Sequence, residues 1–168
     1  MANLSGPEEI VKGLKESGVD IVSTLPENAT TKLVSLISKE PGIIHVPLAR
    51  EEEGFGISSG AYLGGKKPAM VIQNSGFLNS LGAITELNIM CQIPVLVLIS
   101  HVGHPGERYV IHPPLARMTE SVTKSLELPC LLIERPEDVR AVIKNAQLLC
   151  EVSKLPVFVM MAPKLLRD

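Results

Sequence analysis

Apolar residues along this chain follow two patterns in alternation. Short unbroken runs rich in Val, Ile and Leu are separated by longer stretches in which apolar positions recur every three or four residues. The unbroken runs predict strands at 20–25, 43–48, 69–73, 94–100, 130–134 and 156–161. Val95-Leu96-Val97-Leu98-Ile99 and Val157-Phe158-Val159-Met160-Met161 are apolar at consecutive positions, so both faces of those strands must be covered, as in a parallel sheet. The helical spacing predicts helices over about 7–17, 28–39, 51–63, 78–90, 115–126 and 136–153. Pro7 suits a first turn, Gly18 ends the first helix, and Pro136 with Glu137 and Asp138 puts negative charge where a helix dipole favours it. Strand and helix therefore alternate. The expected fold is α/β, an open, mostly parallel sheet with helices on both faces, forming a single domain over 1–168, with ligands outside the carboxyl ends of the strands.

Composition narrows the function classes. With 168 residues, 45% hydrophobic and 20% charged, the chain is too apolar for disorder, yet no apolar run is long enough to span a membrane. Sixteen basic against 18 acidic residues, with no Trp, two Tyr and three Phe, offer neither a phosphate track nor a stacking platform, so nucleic acid is not an expected partner. The N-terminus lacks the pattern of a secretory signal, and a cytoplasmic location is expected. Cys91, Cys130 and Cys150 are odd in number and widely spaced among apolar neighbours, which reads as reduced core thiols and no metal site. Familiar fingerprints are missing. Gly54-Phe55-Gly56 has Ser59 in the third glycine position and follows three glutamates that would repel a pyrophosphate, and neither a P-loop nor a nucleophile elbow is present.

The most informative segment runs from His45-Val-Pro47 through Arg50-Glu51-Glu52-Glu53 to Gly60-Ala61-Tyr62. Successive helical residues point about 100° apart, so the three glutamates cannot share a face and at most one is expected to be buried. The face of Glu51 continues through Gly54, Phe55 and Ser58, whose small members cost helix propensity and imply a close approach of backbone or ligand. Glu52 and Glu53 read as a solvated first turn complementing the dipole; for Glu51 the residues alone leave both readings open. Downstream, Gln73-Asn74-Ser75-Gly76 ends a strand with side chains suited either to a ligand or to helix capping.

Taken together, residues 50–62 and the stretch from Gly65 through Gln73-Asn74-Ser75-Gly76 to Asn79 resemble the pyrimidine-binding domain of thiamine-diphosphate enzymes, most closely the sulfopyruvate and phosphonopyruvate decarboxylases. In that family a glutamate nine residues before a helix glycine contacts N1′ of the aminopyrimidine, and Glu51 stands nine before Gly60. Leu25-Pro26-Glu27-Asn28 resembles the family's turn after the first strand, and His45-Val46-Pro47 its approach to the glutamate. The resemblance makes Glu51 the catalytic residue, with Gln73, Asn74, Ser75 and Gly76 beside it as cofactor-binding positions. A carboxyl shielded from water has its pKa raised and can share a proton with N1′ near neutral pH, whereas the helix N-terminus pulls the other way, so burial has to outweigh the dipole.

The same resemblance exposes a missing half. These enzymes need a Gly-Asp-Gly segment and a metal-binding asparagine for the diphosphate, and neither is in this sequence. The expectation is an alpha subunit whose cofactor, thiamine diphosphate, is shared with a beta subunit that also holds Mg2+, in a hetero-oligomer active only when both chains are present. Sulfopyruvate decarboxylase is the member known for this split, turning 3-sulfopyruvate into sulfoacetaldehyde and CO2 on a route to coenzyme M. A phosphonopyruvate decarboxylase subunit and a non-catalytic scaffold are the alternatives. A small dianionic 2-oxoacid needs a donor-rich pocket. Glu27 and Asn28 after the first strand, and His101 and His112 in or beside the long 101–114 loop, are the substrate candidates, with His104, Arg108 and Arg117 nearby. His101-x-x-His104 has metal-ligand spacing but no carboxylate or thiol partner in sequence, and no metal is expected there.

Overall fold

The computed structural model describes residues 5–103, 109 and 112–167. All six expected strands form: β1 (Ile21–Thr24), β2 (Ile44–Pro47), β3 (Pro68–Gln73), β4 (Leu96–Ser100), β5 (Cys130–Ile133) and β6 (Val157–Met161). They make one sheet in the order β2-β1-β3-β4-β6-β5, every neighbouring pair parallel. The helices are α1 (Gly6–Glu16), α2 (Thr31–Ile37), α3 (Glu51–Leu63), α4 (Asn74–Asn79), α5 (Leu81–Ala83), α6 (Pro113–Ser125), α7 (Val139–Ser153) and α8 (Pro163–Leu166). No helix among the described residues is long and apolar enough to cross a membrane.

The continuous apolar strands divide between two cores with the period of two that a strand imposes. Ala69 and Val71 of β3, Leu96 and Leu98 of β4, and Val157, Val159 and Met161 of β6 meet Ile10 and Leu14 of α1, Leu33 and Ile37 of α2, Ile143 and Ala146 of α7, and Leu165 of α8. Their neighbours Met70, Ile72, Val97, Ile99, Phe158 and Met160 face the other way, onto Phe55 of α3 and Phe77 of α4, with Val122 of α6 at the margin. Phe77 sets its ring edge-on to Phe158, centroids 4.9 Å apart. Burying each such side chain contributes about 1.5–3 kcal/mol, which is why two covered faces hold a sheet whose strands are only four to six residues long.

Sequence and structure part in three places. The helix expected over 78–90 begins instead at Asn74, directly after β3, and breaks at Ser80, whose hydroxyl donates back to the Gly76 carbonyl at 2.7 Å. The chain then passes through α5 into a π turn at Ile84–Ile89, held by the buried Asn88 amide donating to Ser59 Oγ and to the Ile93 carbonyl. Competing side-chain bonds of this kind are invisible to hydrophobic spacing. The helix expected over 28–39 is shorter because Glu27 Oε2 accepts the Ala29 N–H at 2.9 Å, shaping a turn before α2. As for the cysteines, all three are free, but Cys91 and Cys130 are exposed and only Cys150 is a core thiol, its pKa pushed up to about 12 by burial. Apolar neighbours in sequence did not place the first two inside, because Cys130 lies on the edge strand and Cys91 follows the π turn.

One charged side chain lies inside the α1–α7 contact. Glu9 is 3% exposed, with Lys12 Nζ at 2.8 Å and Arg140 Nε at 2.9 Å from its oxygens. The Lys12 hydrogen bond, with help from Arg140, holds this carboxyl below the usual range. A lowered folded-state pKa contributes stability that is present above the unfolded value and lost as pH falls through the folded one. Glu9→Gln is therefore expected to cost about 1 kcal/mol at pH 7. In thermal melts the gap from wild type should close as pH drops below about 4.

Candidate functional site

Between β1 and β3 the strand order reverses, and in open α/β sheets the crevice at such a point is where ligands bind. A cleft of about 990 Å³ opens there, with Glu27 and Asn28 from the carboxyl end of β1, Gln73 from that of β3, and Val102 and His112 from the segment after β4. His112 stands edge-on to Tyr109, which also lines the cleft, at 5.4 Å between ring centroids. Glu27 Oε1 is buried with no hydrogen-bond partner among the described residues, since Oε2 alone is used by the Ala29 N–H.

At the start of α3 the three consecutive glutamates take three different environments. Glu52 is exposed and pairs with Arg50 at 3.3 Å. Glu53, also exposed, accepts the Ala49 N–H at 3.1 Å, satisfying a backbone donor that the helix start would leave open. Glu51, the first residue of α3, is partly buried, and its carboxylate lies against Gly76 so closely that any Cβ at that glycine would overlap Glu51 Cγ, Cδ and Oε1. The fold thus joins the two motif segments into one constellation.

Packing places α3 there. At Gly54 a Cβ would stand 2.6 Å from Leu48 Cδ1 and from Met70 Cε, so only glycine lets the helix come this near the sheet. Ser58 Oγ, one turn on, lies 3.4 Å from Ser23 Oγ of β1. At the edge of the sheet the His45 ring, its Nε2 2.9 Å from the buried Thr24 Oγ1, has its pKa lowered by burial.

The Gln73–Gly76 turn is equally constrained. Asn74 is fully buried; its amide donates to the Val102 carbonyl at 3.0 Å, and its Oδ1 has no hydrogen-bond partner among the described residues. Ser75 donates to Gln73 Oε1 at 2.6 Å. Neither Ser75 nor Asn74 caps α4 by a side-chain hydrogen bond, so these polar groups are not consumed by helix initiation.

The sequence candidates sort by position. Glu27, Asn28, Gln73 and His112 line the cleft, while Glu51, Asn74 and Gly76 do not line it; Glu51 meets Gly76 in α4, which follows Gln73 directly in the chain. His101 is elsewhere: it is 3% exposed and lines a separate recess of about 350 Å³ under α6, with Nε2 4.0 Å from Glu120 Oε1. Arg117 is exposed on α6 and does not line the cleft. His104 and Arg108 lie outside the described residues. Among the described residues no group of three or more His, Cys, Asp or Glu side chains could hold a metal ion. Lys32, Tyr109 and Arg167 also line the cleft and were not singled out from sequence. An exposed lysine in a helix and an arginine after the last strand carry no spacing signal of their own.

Comparison with known proteins identifies the family. Residues 4–122 match the family model described as "Thiamine pyrophosphate enzyme, N-terminal TPP binding domain". The chain is 34% identical over 158 residues to the sulfopyruvate decarboxylase subunit alpha of Methanococcus maripaludis, covering 94% of this chain and 95% of that one. It is 39% identical over 143 residues to the subunit of the same name from Methanocaldococcus jannaschii, covering 85% of each. A phosphonopyruvate decarboxylase from Streptomyces viridochromogenes is 31% identical over 103 residues, 61% of this chain and 26% of that protein.

Proposed function

Because the chain belongs to the thiamine pyrophosphate enzymes, and among them to the sulfopyruvate decarboxylase alpha subunits, we propose that it is the pyrimidine-binding half of a two-chain enzyme converting 3-sulfopyruvate to sulfoacetaldehyde and CO2. The observation that carries the site is the Glu51 carboxylate seated on Gly76, three residues on from Gln73, which lines the cleft. These residues suit an aminopyrimidine. Glu51 offers a carboxylate to a ring nitrogen, the buried and unpartnered Asn74 Oδ1 offers an acceptor to an amino group, and Gly76 leaves the space a flat ring and the carboxylate need.

When bound, thiamine diphosphate would supply the electron sink that takes up the electron pair left behind as CO2 departs from a 2-oxoacid. This chain supplies position and protons. Glu51 holds or accepts a proton at its carboxylate oxygen, and Asn74, fixed by Val102, orients the ring beside it. Glu27, with one buried oxygen unbonded, faces the substrate from β1, and His112 faces it from the segment after β4. A second chain, carrying the diphosphate site and its Mg2+, closes over the exposed side of Glu51 and excludes the water that would otherwise screen it. The assembly works in the cytoplasm.

The test is reconstitution with a chain of similar length that bears the Gly-Asp-Gly segment. Thiamine diphosphate and Mg2+ should be retained only by the co-purified pair, and 3-sulfopyruvate should release CO2 only in its presence. Turnover by the isolated chain, or failure of the two to associate, would refute the proposal; a preference for phosphonopyruvate would move the assignment to that substrate.

A further inference from the structure

The Glu51 carboxylate and the cleft are set by different segments of chain, and both segments meet at one buried threonine. Thr24, the last residue of β1, is fully buried. Past it the chain runs through Leu25 and Pro26 to Glu27, which lines the cleft. Across the sheet Thr24 is bonded twice to the segment that leads to Glu51: its carbonyl accepts the Leu48 N–H at 2.9 Å, and its Oγ1 lies 2.9 Å from His45 Nε2. Leu48 in turn sets its Cδ1 where the missing Cβ of Gly54 leaves room, and Glu53 accepts the Ala49 N–H. Arg50 makes no side-chain cap, so the start of α3 depends on this segment. The strand before it is weakly anchored by apolar packing. β2 is an edge strand of four residues that pairs with β1 alone, none of its residues is buried, and Ile44 is 51% exposed.

Among the described residues Thr24 Oγ1 has no hydrogen-bond partner other than His45. A buried hydroxyl needs an acceptor for its proton, so the imidazole receives it at an unprotonated Nε2 and carries its own proton on Nδ1. Burial, which lowers the His45 pKa, favours that neutral ring. We propose that His45 is a positioning residue for decarboxylation, its bond to Thr24 setting the β2–α3 connection, and with it Glu51, against the end of β1 that carries Glu27. This rests on the function proposed above and adds to it a pair of residues, neither of which lines the cleft, that relate the proton-handling carboxylate to the substrate. A single bound cofactor and substrate have to meet both Glu51 and Glu27, so the spacing of the two segments matters to the rate even though the pair touches neither ligand.

Kinetics of the reconstituted complex test this. Thr24→Val and His45→Phe approximate the shape of each side chain and remove the bond, so each should lower kcat for 3-sulfopyruvate about tenfold or more, with KM changed by less than about threefold and assembly unaffected. Thr24→Ser, which keeps the donor, and His45→Gln, which keeps an acceptor, should restore most of the loss. The double variant Thr24→Val with His45→Phe should be no slower than the slower single one, because both remove the same bond. In a Glu51→Gln background His45→Phe should cost less than about twofold further, since its effect passes through that carboxylate, whereas a general loosening of the fold would lower the rate in either background. Losses that multiply in the double variant, no recovery in His45→Gln, or kcat within about twofold of wild type for His45→Phe would overturn the proposal. If the wild-type complex fails to decarboxylate 3-sulfopyruvate, the functional reading falls, yet amide exchange at Leu48 still decides whether the pair holds the connection. That exchange should be about threefold faster or more in His45→Phe and recover in His45→Gln, and an unchanged rate would overturn the hold itself.

Discussion

Glu51→Gln in the reconstituted complex should lower kcat for decarboxylation by roughly 100- to 10,000-fold, the range that a positioned proton-transfer group contributes. The amide keeps the shape that rests on Gly76 but can no longer share a proton at the atom where the carboxylate does. Thermal stability and assembly with the second chain should be nearly unaffected, since in this chain Glu51 is partly exposed and packs against a backbone rather than into a core. Glu51→Asp should fall between, because its carboxylate retreats by a methylene. The adjacent glutamates are the internal controls. Glu52 faces solvent with Arg50, so Glu52→Gln should leave kcat within about twofold. Glu53→Gln should cost at most a few tenths of a kcal/mol through its bond to the Ala49 N–H, and little activity. Steady-state CO2 release with cofactor affinity measured in parallel separates the cases; activity within threefold of wild type for Glu51→Gln would remove the residue from catalysis.

That at most one of three identical neighbours would turn inward was legible in the sequence from helical geometry, but the residues alone left open whether Glu51 was that one, and only the family resemblance selected it. The two-sided burial of β4 and β6 was legible for a similar reason: an unbroken apolar run has no solvent face to spare. What the pattern could not reveal depends on contacts between residues far apart in sequence. Nothing near Gly76 announces that Glu51 will lie on it, and nothing near Asn74 announces that Val102 will take its amide. Polar side chains that redirect the backbone were equally hidden. Ser80 bonding back to Gly76 and Asn88 bridging to α3 convert one expected helix into α4, α5 and a π turn. The histidines show how little composition fixes position. His101 and His112 flank the same loop in sequence, yet one turns into the recess beneath α6 and the other into the main cleft. The cations of that cleft come from α2 and the segment after α8, two elements on the face away from Glu51, and only the sheet order brings them to the strand ends.

Gly76→Ala separates the fold from the chemistry more sharply than any change at Glu51 itself. In an ordinary helix position alanine would be favoured over glycine by about 1 kcal/mol. Here its Cβ would fall on the Glu51 carboxylate, the far end of a flexible side chain that can swing away, so the folded state survives with a melting temperature near that of wild type. Under the proposed function the displaced carboxylate would no longer meet the cofactor ring, and misplacement on the order of 1 Å is enough to cost about 100-fold in rate. Gly56→Ala is the matched control: its Cβ would meet nothing within 4 Å, so it should gain helix stability and keep its activity. The two effects of Gly76→Ala are also coupled to one partner, which a double-mutant cycle measures. In a Glu51→Ala background the clash is gone. Gly76→Ala should then raise the melting temperature and lower activity no further, whereas an additional loss of tenfold or more would mean that Gly76 serves the site by some route other than making room for Glu51.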